Sequence, residues 1–128
     1  MLPNALERSI IIDLPDLAAG VDIAAEVVFR APVGGMRVFA VRIIFRAATA
    51  GVDGANPLQI DVNGPDGEIA TSGALVANQA ANAVNSPAVV AAAARLDAGE
   101  DLTIDITQGA TADIGRASVQ IDYRPLVT

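Results

Sequence analysis

The chain predicts an all-β protein, an antiparallel β-sandwich of about eight strands, and three observations carry that expectation. Apolar and polar residues alternate with period 2 along much of its length. Short clusters of Gly, Pro, Asn and Asp separate the alternating runs. The apolar residues are chiefly Ala, Val, Ile and Leu, with three Phe, one Tyr and no Trp, a set that fills the narrow space between two packed sheets.

The clearest run is 101–107, where Leu102, Ile104 and Ile106 point one way and Asp101, Thr103, Asp105 and Thr107 the other. Towards the N-terminus, Ile10, Ile12 and Leu14 alternate with Ser9, Ile11 and Asp13 until Pro15 stops the strand. The stretch 16–22 holds Gly20 and reads as a loop. In 23–31, Val27, Phe29 and Ala31 face inward against Glu26, Val28 and Arg30. Pro32-Val33-Gly34-Gly35 then makes a turn.

The longest extended run is 36–48. Strict alternation places Phe39, Val41, Ile43 and Phe45 on one face, and Val38, Ala40, Arg42, Ile44 and Arg46 on the other. The second face mixes apolar and charged residues, which points to a covered rather than a solvated surface. After a loop at 48–56, Leu58, Ile60 and Val62 face inward against Gln59, Asp61 and Asn63. Gly64-Pro65-Asp66-Gly67 is a tight turn, and 68–71 returns as the second arm of a hairpin.

The segment 72–86 is rich in Ala, Asn and Gln and reads as a long connection with room for one helical turn. Val89 to Leu96 reads as a strand with Val90, Ala92, Ala94 and Leu96 on one face, despite its run of Ala. The last strand is 116–124, with Ala117, Val119, Ile121 and Tyr123 inward and Ser118, Gln120, Asp122 and Arg124 outward. The long connections at 48–56 and 72–86 suit Greek-key or jelly-roll wiring better than a meander. The expected organisation is one domain over 1–128, with an N-terminal arm at 1–8 and a C-terminal tail at 125–128.

Composition narrows the chemistry. The 128 residues carry 15 carboxylates against 8 basic residues, all Arg, for a formal net charge of −7. Such a surface repels phosphate backbones and argues against nucleic-acid binding. With no His and no Cys, Ser-His-Asp and Cys-His nucleophiles are excluded, as are disulfides and thiolate-held metals. No glycine-rich phosphate loop followed by Lys is present. Asp61, Asn63, Asp66 and Glu68 are oxygen-bearing neighbours, but Pro65 interrupts calcium-loop spacing, and the group reads as a strand face plus a turn. No catalytic, cofactor-binding or metal residue is assigned, and no cofactor is expected. The N-terminal segment lacks the basic start and long apolar run of a signal peptide, and the most apolar stretch, 38–45, is too short to span a bilayer. The expectation is therefore a protein made in the cytoplasm with no membrane partner.

Two groups stand out as candidate partner surfaces. Val38, Arg42, Ile44 and Arg46 share the mixed face of the longest strand. Asn78 and Asn82 lie in the amide-rich connection, where side-chain amides either recognise a ligand or satisfy local backbone groups.

Arg95-Leu96, the turn and strand Asp97-Ala98-Gly99-Glu100-Asp101-Leu102-Thr103-Ile104, and Ala117-Ser118-Val119-Gln120-Ile121-Asp122-Tyr123-Arg124-Pro125 resemble the closing strands of small jelly-roll proteins of tailed-bacteriophage virions, the decoration or cement proteins of the head. The resemblance is at the level of the fold and transfers no binding residue by position. It implies a jelly-roll-like sandwich with a non-enzymatic structural role. It also implies self-association, with a homotrimer preferred, contact with a major capsid protein or another virion protein, and a place on the capsid surface after synthesis in a host cytoplasm. The alternative function is a glycan- or receptor-binding β-sandwich module of a fibre or tail.

Overall fold

The computed structural model describes residues 7–126, and within them nine strands form two antiparallel sheets. The strands are β1 (Arg8–Asp13), β2 (Ile23–Arg30), β3 (Met36–Phe45), β4 (Leu58–Gly64), β5 (Gly67–Thr71), β6 (Val84–Asn85), β7 (Arg95–Leu96), β8 (Asp101–Gln108) and β9 (Ala117–Pro125). One sheet runs β1-β9-β3-β6, with β7 also on β3; the other runs β2-β8-β4-β5. Apart from the β4–β5 hairpin and the β6–β7 pair, successive strands change sheet, so the chain crosses the sandwich at almost every connection. That is jelly-roll wiring, and the sandwich expectation holds.

Alternation places the core as expected in the best-patterned strands. Leu58, Ile60 and Val62 of β4 and Leu102, Ile104 and Ile106 of β8 are fully buried, and they face Val41, Ile43 and Phe45 of β3 and Val119 and Ile121 of β9 across the sandwich. β4 and β5 form the predicted hairpin around Gly64–Gly67. Pro32 to Gly35 makes the predicted turn, closed by Gly35 N–H donating to the Pro32 carbonyl at 2.8 Å.

Four sequence expectations change. The first concerns β3. Val38 pairs with Tyr123 while Ala40 pairs with Asp122, so Phe39 is the extra residue of a bulge. The bulge shifts the phase: Met36 and Val38 point into the core before it, Val41, Ile43 and Phe45 after it, and Phe39 is turned outward. The second concerns β2, which shifts register between Ile23 and Glu26 and again between Val27 and Phe29. Val27 is consequently exposed, while Val28 and Phe29 pack against the core.

Third, 89–96 is not one strand. Ala91–Ala93 form a single 3₁₀ turn and only Arg95–Leu96 pair as β7. Ala lacks the branched side chain that favours extended backbone, and Ala93 and Ala94 are small enough to be buried as the turn closes over the sheet. Fourth, 72–86 holds no helical turn. It bridges through Leu75 to Leu58 and ends in β6 on the edge of β3. The expected arm and tail lie largely outside the described residues; β1 begins at Arg8 and β9 ends at Pro125.

Candidate protein interface on the outer sheet face

The β1-β9-β3 sheet turns a mixed surface outward. β3 contributes Arg42 and Ile44, with Arg46 immediately beyond its end; β9 contributes Ser118, Gln120 and Asp122, and β1 contributes Ser9, Ile11 and Asp13. The registers set rows across the strands: Ser9 beside Asp122 beside Ala40, Ile11 beside Gln120 beside Arg42, and Asp13 beside Ser118 beside Ile44, with Val84 of β6 next to Ile44.

A hydrogen-bond network ties these rows together. Asp122 accepts from the Ser9 hydroxyl, from Gln120 Nε2 at 3.1 Å and from Arg42 Nη1 at 2.6 Å. Ser118 Oγ donates to Asp13 at 2.7 Å and accepts from Arg46 Nε at 3.2 Å. Although both lie on the outer face, Ser118 and Asp122 are buried, because the long Arg side chains lie across them. The Asp122 carboxyl is held below the usual carboxylate range, chiefly by the Ser9 hydroxyl and further by Gln120 and Arg42, against the opposing effect of burial. Each Arg therefore has its head fixed by its own sheet while apolar Ile11, Ile44 and Val84 sit between the charges.

Ile11 is 57% and Val84 54% exposed. Two hollows flank the face. One, about 210 Å³, lies between β1 and the start of β9 and is lined in part by Asp13, Arg46 and Arg116. The other, about 230 Å³, lies between β3 and 86–89 and is lined in part by Phe39, Arg42 and Pro87. Both are smaller than the cavities that enclose small-molecule ligands.

Of the sequence-predicted residues, Arg42, Ile44 and Arg46 share this face. Val38 does not: it is 2% exposed, in the core, because the bulge at Phe39 reverses its phase, and it offers no side chain to a partner. Asn78 and Asn82 lie elsewhere, in the connection before β6. Asn78 Oδ1 accepts from Val52 N–H at 3.0 Å, pinning the 49–52 loop, and Asn82 adopts φ 68°, with its N–H donating to the Phe45 carbonyl. Asn tolerates this left-handed conformation better than most residues. Ile11, Val84 and Phe39 belong to the face but escaped the sequence reading. Ile11 sat in a run of three Ile, Val84 in the unassigned connection, and Phe39 on the wrong side of an unseen bulge.

The other sheet's outer face is acidic. Asp61 of β4 stands opposite Asp105 of β8. Asp61 accepts from Gln59 Nε2 and the Thr71 hydroxyl, and Asp105 from Asn63 Nδ2 and the Ala25 N–H, so each carboxylate is stabilised within its own sheet. Among the described residues no group of three His, Cys, Asp or Glu is placed to hold a metal ion, and no helix is long and apolar enough to cross a membrane.

No family model and no curated protein matches the sequence. Solved structures of low sequence identity align with the chain, and the first of the following shares its fold. A chain of the cyanophage Pam1 capsid asymmetric unit is similar over 99% of this chain and 92% of its own, at 15% identity and a TM-score of 0.54. A chain from the Bacillus endospore appendages, a family of disulfide-linked pili, aligns over 95% and 88% at 12% identity and a TM-score of 0.46. The structure of infectious bursal disease virus, Gx strain, aligns over 95% of this chain and 37% of its own, at 14% identity and a TM-score of 0.34.

Proposed function

We propose that this protein is a non-enzymatic structural component of a virion, a decoration or cement protein that binds a phage capsid through the outer face of β1, β9 and β3. The observation that carries the reading is that face itself: Arg42 and Arg46, fixed by Asp122 and Ser118, alternating with Ile11, Ile44 and Val84. Preordered Arg beside exposed aliphatic side chains is the composition of protein interfaces. The fold shared with a cyanophage capsid chain supports the setting. The residue types for nucleophilic catalysis by His or Cys are absent from the sequence. Self-association belongs to the same reading, with a trimer as the preferred unit on the shell and a capsid protein as the surface it contacts.

The test is co-sedimentation with capsids assembled without this protein. Binding of the wild type with a rise in capsid melting temperature is the expected result. Replacing Ile44 and Val84 together by Asp should weaken binding at least 10-fold while leaving the protein's own melting temperature within a few degrees. Absence of binding by the wild type would remove the decoration role.

A further inference from the structure

Sheets end in unpaired backbone groups, and folded proteins usually blunt those edges. Three edges here are blunted. β2 carries two register shifts, Ala25 sits at φ 53°, and its N–H is turned to the Asp105 carboxylate. β5 has five residues, and its Ile69 carbonyl accepts from Val90 N–H at 2.8 Å. β6 and β7 have two residues each.

β1 is different. Its six residues pair with β9 in unbroken register, and it carries Ile10, Ile11 and Ile12. Leu14 N–H donates to the Ala117 carbonyl at 2.9 Å, one step beyond the pair Asp13–Ser118. In an antiparallel ladder alternate residues exchange both hydrogen bonds with the same neighbour. Ile12, Ile10 and Arg8 therefore direct their N–H and C=O at β9, while those of Ser9, Ile11 and Asp13 point away from the sheet. Among the described residues no backbone group meets them.

We infer that β1 is a self-pairing edge, which joins a second copy of this chain through antiparallel β1–β1 pairing about a two-fold axis at Ile11. The register follows from the free groups. Ile11 faces the partner's Ile11, and Ser9 faces the partner's Asp13. These are the positions whose N–H and C=O are unused, so every facing pair closes two hydrogen bonds. Side chains also agree. Ile11, 57% exposed, packs side by side with its own counterpart and still faces outward, and the half-buried Ile10 lies beside the partner's Ile12 on the core face. The Ser9 position, a hydroxyl, meets a carboxylate rather than a like charge. A shift of the pairing by one residue would oppose core-facing to outward-facing side chains. A centre at Ile10 or Ile12 keeps the faces matched but closes two facing pairs of these groups in place of three, so Ile11 is the centre that makes the most hydrogen bonds. The contact is isologous and independent of any three-fold one, so it joins two chains or two trimers.

Ile11→Pro tests it without touching β1–β9 pairing, because the Ile11 N–H is not used there. Sedimentation equilibrium at about 100 μM, above the Kd expected of a small isologous contact, reads the mass as a multiple of the 13.0 kDa chain. The wild type should be a dimer or another even-numbered species. Ile11→Pro and Ile11→Lys should each halve that mass, while Val27→Lys on the bulged β2 edge leaves it unchanged. Exchange protection of the Ile11 amide should rise with wild-type concentration. A monomeric or purely trimeric wild type overturns the inference, as does protection independent of concentration, or an equal loss of mass in Val27→Lys.

Discussion

At the residue scale, Asp122 shows how a charge is kept on the outward face of a sheet. Its side chain is 12% exposed and gathers Ser9, Gln120 and Arg42 into one cluster. Replacing it with Ala leaves those donors without an acceptor and should cost about 1–3 kcal/mol at neutral pH, read from chemical denaturation. The pH dependence has a definite sign. The folded state holds the Asp122 carboxyl below its unfolded value, so its contribution is complete above the unfolded value and is lost as pH falls through the folded one. The stability gap between wild type and Asp122→Asn should therefore be widest at neutral pH and narrow below about pH 4. Gly51 marks a different constraint. It sits at φ 66°, an added Cβ would overlap the Thr111 carbonyl oxygen, and the Thr111 hydroxyl donates to the Gly51 carbonyl at 2.7 Å. Gly51→Ala should destabilise by more than about 1 kcal/mol, measured by thermal melting.

At the scale of elements, the bulge in β3 decides which side chains reach the outer face. Because Phe39 is the extra residue, deleting it restores plain alternation, with Val38 inward, Ala40 outward and Val41 inward. Phe39 deletion should leave a folded sandwich, losing mainly the stacking of Arg124 over the Phe39 ring at 5.0 Å. Deleting Arg42 instead would put Ile43 and Phe45 out of phase with Val41 and should abolish folding. Circular dichroism and melting of the two deletions separate these outcomes. The central strand β8 offers a calibration: Ile104 is fully buried between β2 and β4, and Ile104→Ala should cost about 2–5 kcal/mol.

At the scale of the molecule, the two sheets present unlike outer faces. Arg42 and Arg46 lie on one beside Asp13 and Asp122, and the carboxylates Asp61 and Asp105 lie on the other. Arg42 is paired with Asp122 on its own face, whereas Arg46 meets the Ser118 hydroxyl and forms no ion pair among the described residues. Arg46 is therefore the cation of this face that an acidic group on a shell would meet, and binding should weaken as salt rises from about 0.1 to 1 M, over which screening shortens from about 10 to 3 Å. Co-sedimentation across that range checks it. Salt-insensitive binding would assign the contact to Ile11, Ile44 and Val84 alone.

Alternation by itself determined the sandwich, the inward faces of β4, β8 and β9, the β4–β5 hairpin and the outward place of Arg42, Ile44 and Arg46, because a period of 2 follows directly from the geometry of a strand. Only the tertiary structure decided where that period slips. The bulges in β2 and β3 moved Val27 outward and Val38 inward, and no local residue pattern announces a bulge, since the extra residue is chosen by the register of the neighbouring strand. The tertiary structure likewise decided that Ala91–Ala93 turn, that Asn78 is spent on the 49–52 loop, and that Ser118 and Asp122 are buried on an outward face. It also set β1 at an edge, with one row of backbone groups unmet among the described residues. Edge or centre is a property of strand order, and strand order is fixed by packing between residues far apart in the chain.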